Sequence, residues 1–298
     1  MPSISCTVQE NLPEHTRLDK YAAEHLKVLS RSQLKARLLT AQVNGKIVKI
    51  SQILKTGDRV CLVWRDPDPP DIIPQDLPLS IIYEDQLVAV INKAQGMIVH
   101  PGAGNPTGTL ANALLFRRNG FAAGNPTRPG IVHRLDKDTS GVIIAAYANE
   151  TLRFLAEQFK NREVRKTYLA VVRGAPPNSA GRIATRIARD PTDRKRFAVS
   201  ADKGKTAVTL YRVLGAGRRE SLVLLRPKTG RTHQLRVHLR HIGCPIVGDP
   251  IYGKTEGYTL MLHALRLAIR LPGDPNPKTF TAPVPPRFKV FSYLFPKR

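Results

Sequence analysis

The sequence predicts an α+β fold in two parts, a small basic unit of helices and strands ahead of a larger domain built on a largely antiparallel mixed sheet. Three observations predict it. Stretches with helical and with strand periodicity follow one another without a regular strand-helix-strand beat. A Pro/Asp-rich stretch, Asp66-Pro67-Asp68-Pro69-Pro70-Asp71-Ile72-Ile73-Pro74, interrupts them once. A chain of 298 residues, 42% hydrophobic, is long enough for one sizeable core and an accessory unit.

In the first part, Leu18, Tyr21, Ala22 and Leu26 recur at helical spacing between Arg17 and Val28, and a second helix is predicted from Ser30 or Ser32 through Leu38. Gln42 to Val48 carries an Asn44-Gly45 turn signal, and Thr56-Gly57-Asp58 precedes the alternating strand Arg59 to Trp64. Between Glu14 and Arg65 there are eleven Lys/Arg against four Asp/Glu, a net of +7. Arg17, Lys20, Arg31, Lys35 and Arg37 cluster on the helices, a pattern suited to phosphate contact. The order of elements over residues 14–65 resembles the small alpha-L (S4-like) RNA-binding module. Residues 66–78, whose prolines deny helix and whose acids would repel RNA, read as a semi-rigid linker.

Residues 79–298 form the second part. Leu79 to Asp85 and Leu87 to Asn92 read as a strand pair, and loop signals run through His100-Pro101-Gly102. Further β-branched runs lie at Lys166 to Val172, Ala207 to Val213, Ser221 to Leu225 and Leu260 to Leu271. Helices are predicted at Thr109 to Phe116, Glu150 to Lys160 and Thr232 to Arg240. The Pro-rich tail after Leu271 holds Phe280, Phe288, Phe291, Tyr293 and Phe295, so it is expected to wrap in an ordered way.

Charge narrows the function. Forty-seven Lys/Arg against 23 Asp/Glu leave +24, far more than solubility requires. A polyanion partner is implied, and because the excess is spread along the chain, nucleic acid is favoured over a membrane surface. No run approaches a membrane span, and the start lacks a basic-then-apolar export signal, so a cytoplasmic location is expected. Cys6, Cys61 and Cys244 lie far apart, with no CxxC or Cys/His spacing, which argues against a zinc site or a disulfide framework.

The densest chemistry is His133-Arg134-Leu135-Asp136-Lys137-Asp138-Thr139-Ser140-Gly141, set between apolar runs. Asp138 before Thr139-Ser140-Gly141 reads as a turn-former. Arg134 and Asp136 sit two apart, on one side of an extended segment, among groups costly to desolvate. The spacing does not fit the Asp-Thr-Gly turn of aspartic proteases, and the surrounding Arg and Lys would oppose a metal. A second dense stretch runs from Lys228 to Arg240. At helical spacing Leu235 and Leu239 face the core, a solvated basic face accounts for Arg236 and Arg240, and Arg231 stands at the helix entrance, free to reach another loop.

Gly130 to Gly141 resembles the HRLDxxTSG signature of the RluA family of pseudouridine synthases. The resemblance continues in Asn92-Lys93 through Gly96, Val99-His100-Pro101, Lys166 to Val171, Gly230 to His238, Gly248 to Gly253 and Leu262-His263-Ala264, and covers nearly the whole chain. With the alpha-L module in front, it is most similar to the D-type synthases acting on 23S ribosomal RNA. Ala94 stands where the family's Asn-Lys-Pro-x-x-Gly turn has proline.

The resemblance implies an isomerase that breaks the uracil-ribose bond, turns the base and rejoins it through carbon 5, with no cofactor and no metal. It makes Asp136 the nucleophile or acid/base group, Arg231 the arginine paired with it, Tyr168 the tyrosine that stacks on the flipped uracil, and Arg134 the side chain filling the vacated space. The remaining cations, Arg236 among them, would dock RNA. The same chemistry on tRNA, and a noncatalytic RNA-binding ribosome assembly factor, are the rival functions. A monomer is expected.

Overall fold

The computed structural model describes the chain except residues 1, 10, 11, 14, 27, 30, 66–71, 103, 118–128, 194, 195, 297 and 298, and the side chains at 32, 33 and 36. The expected linker's first six residues and the expected helix start at residue 30 therefore lie outside the described residues. The chain divides into two compact units, Met1–Asp71 and Ile72–Arg298.

The first unit runs β1 (Ser3–Thr7), α1 (Leu18–Glu24), α2 (Arg31–Arg37), β2 (Leu38–Val43), β3 (Lys46–Ile47) and β4 (Arg59–Trp64), with strand order β1-β4-β2-β3. Every pairing is antiparallel. Asn44 and Gly45 both have positive φ, 54° and 78°, as a two-residue hairpin turn requires, and the Asn44 side chain bonds Asp58 and the Arg59 amide. Leu18, Tyr21, Ala22 and Leu34 from the helices pack on Ala41, Val60 and Leu62 of the sheet. β1 is an element the sequence reading did not name; its five residues are too few for a distinctive pattern, and pairing with β4 makes it a strand.

The second unit continues with β5 (Ile81–Glu84), β6 (Val88–Lys93), α3 (Leu110–Arg117), β7 (Ser140–Ala146), α4 (Asn149–Lys160), β8 (Arg165–Arg173), β9 (Ala180–Arg189) and β10 (Phe197–Ser200). It ends with β11 (Lys205–Ala216), β12 (Glu220–Pro227), α5 (Gln234–His241), β13 (Leu262–Ile269), β14 (Lys278–Thr281) and a 3-10 helix, Pro286–Leu294. Ten strands form one sheet in the order β10-β9-β11-β12-β8-β13-β7-β6-β5, with β14 on β13. All pairs are antiparallel but one, β13 with β7, where His263 lies opposite Ser140. The sheet is thus mixed and mostly antiparallel, as expected.

The parallel seam governs the local sequence. Gly141 has φ +113°, and a Cβ there would lie 2.2 Å from the Ala264 carbonyl oxygen. Only glycine lets β7 approach β13 so closely. β7 is buried along its whole length, which explains its unbroken apolar run. Phe288, Phe291 and Leu294 of the 3-10 helix join the core with Leu169, Val171 and Leu222, so the aromatic tail is ordered.

Candidate active site

A cleft of about 470 Å³ opens on one face of the second unit's sheet. Its lining combines the 132–136 loop, Lys166 and Tyr168 of β8, the segment from Pro227 to His233 and the start of α5. Asp136 projects into it with its side chain 21% exposed. The loop carrying Asp136 is anchored on both sides. Leu135 is buried against Ile143 and Ala264, and the Thr139 amide donates to the Asp136 carbonyl at 3.1 Å, so the turn spans Asp136 to Thr139, while Ser140 and Gly141, expected in it, already begin β7.

A second loop clamps the first. Lys93, 1% exposed, donates from Nζ to the carbonyls of Ala94 (2.9 Å), Met97 (2.8 Å) and Lys137 (3.0 Å). The Gly96 amide also donates to Lys137 O, and Gln95 Nε2 donates to Asp138 O and Leu260 O. Burial pulls the Lys93 ammonium down to about 8, against the opposing pull of Asp138 and Asp136. This is the work of the Asn92-to-Gly96 turn: it holds the loop backbone at the Lys137 and Asp138 carbonyls. Ala94 in place of proline leaves those bonds intact.

The cation beside Asp136 is not the expected one. Among the described residues, Arg236 Nη1 lies 3.8 Å from Asp136 Oδ2 and His233 Nε2 lies 4.0 Å away. Arg231 instead donates from Nε to the Thr206 carbonyl at 3.1 Å. Arg236 is not on a solvated face either: it is 3% exposed and forms two parallel bonds of 2.7 Å to Asp249, which is fully buried. Burial works against the Arg236 charge, but Asp249 and then Asp136 outweigh it and raise its pKa. The physical reason lies at the helix start. His233 is left-handed (φ 54°, ψ 16°), so the helix begins at Gln234 and Arg231 belongs to the turn before it. Every residue from Gln234 to Leu239 is buried, so Arg236 turns to the cleft and Asp249 instead of water, while Arg240 one turn on is exposed, as expected of a solvated face.

Asp249, His233 and Tyr252 complete the setting. The Asp249 carboxylate also accepts the amides of Ile251 and Tyr252. The Tyr252 hydroxyl accepts the Phe197 amide at 2.8 Å and lies 2.9 Å from His233 Nδ1. Burial lowers the His233 pKa despite the Asp136 charge, which keeps the ring neutral. Tyr168 lines the cleft, and burial, then Asp136, push its phenol well above the ordinary value. At neutral pH that hydroxyl is protonated. Arg134 is exposed at the rim. His133 is scaffold: its Nε2 accepts the Ile144 amide at 3.1 Å, its ring stacks on Phe159, and burial, then Lys166, drop its pKa to about 3.

The cations expected to bind RNA in the first unit are placed as follows. Arg17 and Arg31 both bond Asp19, which is 1% exposed, while their own side chains remain about half exposed. Burial would raise the Asp19 pKa, but the two arginines hold it below the usual range. Lys20 and Lys35 are exposed and Arg37 is half-buried. Lys93, Gln95, Asp249, His233 and Tyr252 had no role in the sequence reading. Their motifs were visible, but a motif does not tell which side chain meets Asp136.

A carboxylate held among cations in an open cleft, within a chain this basic, defines an enzyme that acts on nucleic acid. Comparison with known proteins gives the family. Residues 87–241 match the family model described as RNA pseudouridylate synthase. The chain is 43% identical to the ribosomal large subunit pseudouridine synthase D of Borreliella burgdorferi, over 98% of this chain and 92% of that one. It is 46% identical to the protein of the same name from Xylella fastidiosa, over 80% and 71%. Among solved structures, human RNA pseudouridylate synthase domain containing 4 aligns with a TM-score of 0.58 at 29% identity, covering 72% of this chain and 92% of that one. The chain belongs to the RNA pseudouridylate synthase family and is an RNA-modifying isomerase.

Proposed function

We propose that the protein converts specific uridines of large-subunit ribosomal RNA to pseudouridine, with Asp136 as the reacting carboxylate. The observation that carries this reading is the placement of Asp136 in the cleft, 3.8 Å from a guanidinium that Asp249 holds rigidly. The Arg236 guanidinium lies within ion-pairing reach of that carboxylate. Tyr168, protonated, offers a ring for the flipped base and a hydroxyl for hydrogen bonding, and Arg134 fills the stack the base leaves, a reading its exposure at the rim supports. The ribosomal substrate is supported by the printed names of the relatives from Borreliella and Xylella.

In this reading residues 14–65 are an S4-like RNA-binding domain, 66–78 a linker and 79–298 the catalytic domain. Lys20 and Lys35, exposed and on the helices, meet phosphates, with Arg17, Arg31 and Arg37 beside them, and Arg231 contacts RNA at the cleft rim. The enzyme works as a monomer in the cytoplasm, without a cofactor.

The test mixes purified protein with unmodified 23S ribosomal RNA carrying tritium at uracil carbon 5. Isomerisation releases tritium to water, and the Asp136→Ala variant is expected to release none. Equal release by that variant would overturn the role of Asp136. Release from tRNA alone would move the substrate, and release from no cellular RNA would leave a noncatalytic binder. Carbodiimide-dependent primer stops then name the uridines.

A further inference from the structure

The cleft occupies one face of the second unit's sheet. Lys166 and Tyr168 of β8 and Pro227 of β12 line it, and α5 packs on the same side through hydrogen bonds of Gln234 and His238 to Thr209. Side chains alternate along a strand, so their neighbours point the other way. Strand register sets a row on that opposite face. Arg182 of β9 stands opposite Leu210 of β11, and Leu210 stands opposite Arg226 of β12. One step beyond the Leu225–Tyr168 pair lies Thr167 of β8, and Thr167 pairs with Arg266 of β13. Five strands at about 4.8 Å spacing put Arg182 and Arg266 about 19 Å apart, with Arg226 midway. Arg186 and Arg212 flank the row on the same face.

All five arginines are exposed, and among the described residues none forms an ion pair. β8, β9, β11 and β13 contain no Asp or Glu, and the single acid of β12, Glu220, lies at its far end and is engaged by Arg173. Where the C-terminal 3-10 helix covers this face, the residues beneath it are apolar, Leu169, Val171 and Leu222. Beyond its reach they become arginine. A surface serving only solubility mixes both signs, and like charges side by side repel. All five cations are arginine and none is lysine, the choice suited to gripping phosphate with paired N–H donors.

We propose that this arginine face is a second RNA-docking surface, on the opposite side of the sheet from the Asp136 cleft, holding the phosphate backbone of a segment remote from the target uridine. The inference rests on the RNA-modifying reading above and adds to it a reason for preferring large folded RNA. Phosphate contacts of this kind position a substrate without reading its sequence.

The test compares wild type with the Arg182→Gln/Arg226→Gln/Arg266→Gln variant and with the corresponding triple lysine variant. Affinity for a labelled in vitro transcript of 23S ribosomal RNA is measured across a salt series. Tritium release is measured on that transcript and on a short hairpin spanning a mapped target. The glutamine variant is expected to bind the transcript at least about tenfold more weakly at physiological salt, with a salt slope shallower by about 2 to 3. Its turnover of the hairpin should stay within about twofold of wild type, and the lysine variant should recover most of the lost affinity. Arg226→Glu alone, an exposed single change, gives a weaker loss in the same direction.

Unchanged transcript affinity and slope would refute the proposal. So would parallel loss on transcript and hairpin, which marks damage to the cleft, or a loss seen only with assembled ribosomal particles, which marks a protein partner. Failure of wild type to release tritium from either RNA would sink the catalytic reading, while the binding series still decides the docking face.

Discussion

Replacing Arg236 with methionine, beside the same change at Arg231, separates the arginine that meets Asp136 in the structure from the one the sequence resemblance pairs with it. Methionine approximates the length of the arginine stem but leaves Asp249, fully buried, facing an apolar group where two 2.7 Å charge-assisted bonds had been. Removing one partner of a buried ion pair costs about 3 to 5 kcal/mol. Asp249 keeps the amides of Ile251 and Tyr252, so the lower end, about 3 kcal/mol, is expected. For a domain of this size that is a fall in melting temperature of about 6 to 12 °C. The same change frees the Asp136 carboxylate from its nearest cation, and a reacting group misplaced by about 1 Å can lose about 100-fold in rate. Arg231→Met removes one surface bond to Thr206 O, worth about 1 kcal/mol. The assays are thermal unfolding by circular dichroism and single-turnover tritium release at a temperature where both variants are folded. If Arg231→Met lost as much stability and rate as Arg236→Met, or if Arg236→Met lost neither, the assignment of Arg236 would be wrong.

Three further outcomes are expected. His133 is half-buried and His238 and His263 are buried, with pKa values lowered to about 3, 4 and 4, desolvation being the first cause in each. The unfolded chain takes up their protons near pH 6.5 and the folded chain does not, so stability is full above about 6.5 and falls as pH drops towards 4. Between pH 7 and 5.5 the three together should remove roughly 3 to 4 kcal/mol, and a melting temperature flat over that range would contradict this. Lys93→Met leaves the carbonyls of Ala94, Met97 and Lys137 without their shared donor, at a cost of about 3 kcal/mol, and should slow turnover more than it weakens RNA binding. A reduced affinity with unchanged single-turnover rate would argue against the clamp. Gly141→Ala forces a Cβ to within 2.2 Å of the Ala264 carbonyl at φ +113°, so a loss of about 3 kcal/mol or more is expected, read as reduced soluble yield and melting temperature; a wild-type melt would refute the close approach.

Legibility followed the range of the interactions involved. The helices of the first unit, the Asn44-Gly45 hairpin and strands such as β8, β11 and β12 were readable because local periodicity and turn chemistry determine them. β9 and β10 were not, because Arg182, Arg186 and Arg189 break the apolar pattern, and pairing with β11 makes that stretch a strand. β14 is four residues long and depends on β13 in the same way.

By itself the sequence determined the mixed α+β class, the polyanion partner and the crowded loop that carries Asp136, since composition, periodicity and a nine-residue motif are all local properties. Tertiary structure decided which cation meets that carboxylate. One left-handed residue, His233, resets the start of α5 and turns Arg236 inward onto Asp249, while Arg231 is left on the preceding turn. It also decided that Lys93, 44 residues earlier in the chain, holds the loop at Lys137. Sequence spacing carries no record of either meeting, because each depends on where a distant backbone lies.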